Sequence, residues 1–175
     1  MLTIEPQNLH WLSEGSAEGD LCAHGGFSIT LDGSVLVQSP DSDYTLSAAV
    51  LYLLRTLTSD HDSTTRVGEH LVPHCGHAMW AEEGAEDVVI QGCNIGLDWE
   101  VHRRADAIQL DLEGRSVTVP FQDWRSAVLS FSDHVKAFYE RSDPKQLPSD
   151  RHEREGFEAF LSEWRRRRES AERAA

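Results

Sequence analysis

Positive charge is nearly absent from the first 102 residues of this 175-residue chain, which hold only Arg55 and Arg66 against 16 Asp and Glu. The remainder is balanced, so the whole formal net charge of −14 belongs to that first part. A surface field of one sign repels polyanions and steers partners of the opposite sign, which disfavours nucleic acid and anionic membranes and favours a basic protein. Cysteine is scarce too. Three residues, Cys22, Cys75 and Cys93, make an odd set that fits reduced thiols better than a disulfide framework.

Long apolar runs are missing: none approaches the roughly 18 residues that span a bilayer. The opening MLTIEPQNLHWLSEG has no basic flank and no apolar stretch of the signal-peptide kind, so the expected location is the cytoplasm. Recognised catalytic motifs are missing as well. There is no Cys-x-x-Cys, no His-Glu-x-x-His and no Gly-x-Ser-x-Gly, and Gly25-Gly26 lacks the context of a phosphate loop.

What is present is enough for a core. Hydrophobic residues make up 39% of the chain, with five Trp and six Phe, and a chain of this length buries about 70% of its unfolded surface. The expectation is a single α+β domain over residues 1–175. Phe27, Ile29 and Leu31 alternate with polar residues, Asp32-Gly33 supplies a turn, and Val35 and Val37 return, which predicts a β-hairpin. Leu46, Ala49, Val50, Leu53, Leu54 and Leu57 then form the stripe of a helix on a sheet, N-capped by Asp43 or Thr45 and ending near Thr58. From about Leu71 onward short strands with short connections predict an antiparallel meander, within which Trp99 and Val101 face inward and Asp98 and Glu100 outward. A helix capped by Asp123 follows, with Trp124, Val128, Phe131, Val135 and Phe138 on its apolar face. After Leu147-Pro148 a last helix presents Phe157, Phe160, Leu161 and Trp164. It runs into Arg165 to Arg168 and an Arg/Glu/Ala-rich tail, expected to fray from about residue 165. The fold class is therefore mainly antiparallel sheet, an N-terminal hairpin plus a meander, packed by about three helices.

One run is chemically loaded: His70 to His77, holding His74, Cys75 and His77, with Cys93 a short hairpin away. Imidazole and thiolate are soft ligands, and a turn through Pro73 and Gly76 can gather them, so zinc is the ion this set would take. Its spacing fits no standard zinc pattern. The competing reading makes both cysteines small core hydrophobes and the histidines a loop lining. A third makes Cys75 a thiol nucleophile between two histidines.

A second group is purely acidic. Glu82, Glu83, Glu86 and Asp87, with Asp60 and Asp62, fall in or beside turns and would make a negative patch for a basic partner. The cluster around Asp60 and Asp62 lacks the ligand spacing of a calcium loop. The preferred expectation is a non-enzymatic binding protein with a class-level resemblance to intracellular immunity or inhibitor proteins of basic toxins, with no cofactor. The alternative is a metal-dependent or thiol enzyme centred on His74, Cys75, His77 and Cys93.

Overall fold

The turn at Asp32-Gly33 sets the first layer. Both residues take positive φ, 50° and 80°, as a two-residue hairpin turn with the right-handed strand twist requires. It joins β2 (His24–Leu31) to β3 (Ser34–Thr45), and a strand the sequence pattern did not reveal, β1 (Leu2–His10), pairs on the other side of β2. Pro6 and Pro40 both sit on edge strands of this sheet, where a missing N–H is tolerated. The computed structural model describes residues 1–12, 20–76 and 78–173.

Helix α1 (Leu46–Arg55) follows at once. Every residue from Leu46 to Leu54 is buried, so α1 is an interior helix, not the one-sided stripe that the periodicity suggests. Its surroundings explain why: β2, β4 (Val72–Pro73), α2 (Phe121–Arg141) and α3 (Arg151–Arg173) all pack on it. Thr45 occupies the N-cap position, but its hydroxyl donates to the His74 carbonyl at 3.1 Å instead of capping.

The later strands are antiparallel, as expected, but they divide into small sheets. β4 pairs with β7 (Gly96–Leu97), β5 (Ala78–Trp80) with β6 (Val89–Gln91), and β9 (Ala107–Leu112) lies between β8 (Glu100–Arg104) and β10 (Arg115–Pro120). The ladders are interrupted between Leu97 and Glu100, where the Asp98 carboxylate accepts from the Leu71 amide and the His61 ring, both at 3.0 Å. Trp99 and Val101 are buried as the alternation requires, with Trp99 stacked on Phe27 at 5.9 Å.

Two long helices close the core. α2 starts at Phe121 behind Pro120, two residues before the Asp123 cap read from the sequence, and buries Trp124, Val128, Phe131 and Val135. The indoles tie helices together: Trp124 donates to Thr56 Oγ1 at 3.0 Å and Trp164 to Ser132 Oγ at 2.8 Å. α3 is capped by Asp150, which accepts from the amides of His152 and Glu153. It remains helical to Arg173, past the expected onset of fraying, because Arg167 and Arg168 are held by Glu163, Asp87 and Asp133. At Gly156 a Cβ would overlap the Met79 carbonyl, so glycine is what lets α3 lie directly on β5. No helix among the described residues is long and apolar enough to cross a membrane.

Candidate functional site

The segment from Val72 to Leu97 is one long hairpin with a gap in its ladder. Pro73 pairs with Gly96, and five residues further in, Ala78 pairs with Gln91, so both short ladders share one register with no residue inserted. Residues 74–76 therefore face residues 93–95. That is how Cys75 and Cys93, far apart in sequence, become neighbours.

At this gap His74, Cys75 and Cys93 bring their ligand atoms within 4.8 Å of one another. His74 Nδ1 lies 3.4 Å from Cys75 Sγ, and the Cys93 thiol donates to the Ile95 carbonyl at 3.6 Å. The backbone is pinned from both sides, the His74 amide donating to Ile95 O at 3.0 Å and its carbonyl accepting from Thr45. A hydrogen bond between the two cysteines pushes Cys75 up and pulls Cys93 down. All three residues are at least partly open to solvent, so Cys75 and Cys93 are not core hydrophobes. Cys22 is one: fully buried, its thiol is pushed up to about 12 by burial. His77 lies outside the described residues.

The outer end of the same hairpin carries the acidic group. Residues 81–87 are all exposed, and Trp80, at the end of β5, is 39% exposed. Glu86 and Asp87 have partners within the chain: Arg166 meets Asp87 Oδ1 at 2.7 Å and Glu86 at 3.6 Å, and Arg167 meets Asp87 Oδ2 at 2.7 Å. Partial burial pushes Asp87 up, but the Arg166 hydrogen bond and the Arg167 charge outweigh it and hold the group below the usual carboxylate value. Among the described residues no basic side chain pairs with Glu82 or Glu83.

Beneath this tip lies a buried charge cluster that sequence reading missed. The Glu163 side chain is fully buried and accepts from Arg55 on both carboxylate oxygens at 2.8 Å, from Arg167 at 2.6 Å and from the Val88 amide at 2.7 Å. Arg55 also donates to the carbonyls of Val67 and Val88. Its only sequence signal is an arginine closing an otherwise apolar helix.

Asp60 and Asp62 do not join the tip. Asp60 accepts from the Arg103 amide at 2.9 Å, and Asp62 accepts from the Thr64 hydroxyl and amide and from the Thr65 amide. These bonds, the Thr64 hydroxyl foremost, lower Asp62 to about 2 and make it a loop-shaping residue. Nearby, His102 stands 3.1 Å from Glu100, 3.3 Å from Asp111 and 3.7 Å from Asp62. His61, 1% exposed, is satisfied on both ring nitrogens: Nδ1 accepts from the Val67 amide, which leaves Nε2 to donate to Asp98. A histidine so placed has no free nitrogen for proton transfer.

A cleft of about 900 Å³ runs between Trp80 and the start of α3, lined among others by Met79, Gln91, Phe157, Asp20 and Glu153. No family model, no curated protein and no solved structure matches the chain.

Proposed function

We propose that the protein is a non-enzymatic binding protein for a basic protein partner, of the intracellular immunity or inhibitor kind. One observation carries the reading: an exposed Trp80 is followed two and three residues on by exposed Glu82 and Glu83, two carboxylates with no basic partner among the described residues, and it lines a largely apolar cleft with Asp20 and Glu153 in its walls. An exposed aromatic with acids in the adjoining loop and cleft is the composition of an interface anchor for a cationic surface, and the cleft has room for a lysine or arginine side chain. The same field disfavours nucleic acid and anionic membranes. Three free cysteines fit a reducing compartment such as the cytoplasm.

A thiol or metal-dependent enzyme at His74, Cys75 and Cys93 has less support. The cleft beside Trp80 is lined by none of the three, and Cys75, the thiol read as the nucleophile, is raised by its Cys93 contact where an attacking thiol needs lowering, while the same contact lowers Cys93.

Trp80→Ala tests the binding reading. With a partner captured from native cells, the substitution should weaken binding by about 2 kcal/mol, roughly 30-fold in Kd, while the melting temperature stays near that of the wild type. An unchanged Kd, or a captured partner that is acidic, rejects it.

A further inference from the structure

The gap in the 72–97 hairpin collects two thiols and an imidazole on a backbone that is already fixed around them. We propose that His74, Cys75 and Cys93 form a zinc(II) site that closes the base of the β5–β6 hairpin. The proposal is independent of the basic-partner reading and stands whether or not that reading holds.

Geometry is its first support. Tetrahedral zinc with arms of about 2.3 Å to sulfur and 2.0–2.1 Å to nitrogen sets sulfur and nitrogen about 3.5 Å apart and two sulfurs about 3.8 Å apart. His74 Nδ1 and Cys75 Sγ are already 3.4 Å apart, and all three ligand atoms lie within 4.8 Å of one another. The remaining closure is at most about 1 Å per pair, the scale of a side-chain rotation. The β4–β7 and β5–β6 ladders hold both loops in one register, and Thr45 and Ile95 anchor His74.

Ligand chemistry is the second support. Two thiolates and an imidazole are soft donors that select zinc over calcium or magnesium. On binding, each thiol gives up its proton, so one zinc(II) displaces two protons and the Cys₂His centre carries no net charge. His74 is exposed and both cysteines are partly so, which gives the ion a path in.

The position within the fold gives the site a consequence. Cys75 stands three residues before β5 and Cys93 two after β6, so the ion joins the two ends of the segment that carries Trp80, Glu82 and Glu83. Two-stranded hairpins are marginal alone, and a cross-link at the base removes open conformations.

The experiment uses the full chain made without a histidine tag, reduced and stripped with a chelator, then titrated with zinc against a chromophoric competitor. One zinc per chain is expected, with two protons released, thiolate-to-metal charge-transfer bands when cobalt(II) replaces zinc, and slower amide exchange in Ala78–Trp80 and Val89–Gln91. Cys75→Ser and Cys93→Ser should each lose stoichiometric uptake and the cobalt bands, whereas Cys22→Ser should keep both. If a cysteine variant fails to fold, His74→Ala at an exposed position serves instead, and it should weaken uptake. No zinc uptake by the reduced wild type overturns the proposal, as does full uptake by all three site variants. A Cys75–Cys93 disulfide in freshly lysed cells, with no uptake after reduction, overturns it equally. Zinc uptake without slower hairpin exchange rejects the closure.

Discussion

Three elements converge on Glu163, whose one buried carboxylate receives Arg55 from α1, Arg167 from its own helix and the Val88 amide just before the acidic hairpin's return strand. Burial pulls Arg55 down, yet the Glu163 bonds outweigh it and hold the guanidinium above its ordinary value. Glu163→Gln removes the charge but not the volume, and stranding a buried arginine should lower stability by about 3–5 kcal/mol. Urea unfolding measures this, and a loss under 1 kcal/mol would mean that water reaches Arg55. Exchanging Glu163 and Arg55 together for leucine should do less harm than Glu163→Gln plus Arg55→Leu would if their costs added, because neither charge is left facing an apolar core and Arg167 keeps Asp87, although the Val88 amide loses its acceptor. Asp98 carries a second residue-scale expectation. Partial burial raises it, but the His61 and Leu71 hydrogen bonds outweigh that and hold it below the ordinary 3.8. Its folded value lies under its unfolded one, so its contribution is complete above about pH 4 and is lost as pH falls through the folded value. In Asp98→Asn the acid limb of the melting temperature should flatten below pH 4, and an acid limb identical to that of the wild type would show that other carboxylates set it.

At the scale of elements, the contact between α3 and β5 depends on a missing side chain. Gly156→Ala forces a methyl group into the Met79 carbonyl, and overpacking of this kind should lower stability by about 1–3 kcal/mol and speed amide exchange in β5. Exchange unchanged in β5 would show that the helix can step back at no cost. Phe131, edge-on to Phe27 at 5.5 Å and fully buried on α2, should lose about 3–5 kcal/mol as alanine, read from the urea midpoint. The apolar faces of α2 and α3 and the Asp32-Gly33 turn were legible because periodicity and turn chemistry are local signals. β1 was not, since Pro6 interrupts its alternation and its partner β2 lies beyond residue 20. The shared register of the two ladders around Cys75 and Cys93 was half legible: the run His74 to His77 and Cys93 stood out, but only pairing shows that they face each other. Nothing local marked Glu163, whose burial depends on two other elements arriving.

For the whole molecule, the lopsided charge read from the sequence survives folding only in part, because α3 lays Arg166 and Arg167 across the acidic tip and neutralises Asp87. Asp60 and Asp62 are spent in loop hydrogen bonds. Among the described residues the hairpin acids without a basic partner are thus Glu82 and Glu83, and these two should steer a basic partner. Glu82→Gln with Glu83→Gln should slow association at low salt and leave dissociation and stability almost unchanged, since exposed positions without partners shift stability by no more than about 0.5 kcal/mol. The difference in association rate should fade as salt shortens the Debye length from about 10 Å at 0.1 M to 3 Å at 1 M. Asp87→Asn separates the two roles of the acids. It removes as much charge as either glutamine change but also frees Arg166 and Arg167, so it should lower the melting temperature as well as the association rate. Stopped-flow mixing of the captured partner with each variant at both salt concentrations decides the matter. Equal association rates for wild type and the double variant at low salt would confine the acidic excess to solubility and leave Trp80 as the sole anchor of any interface.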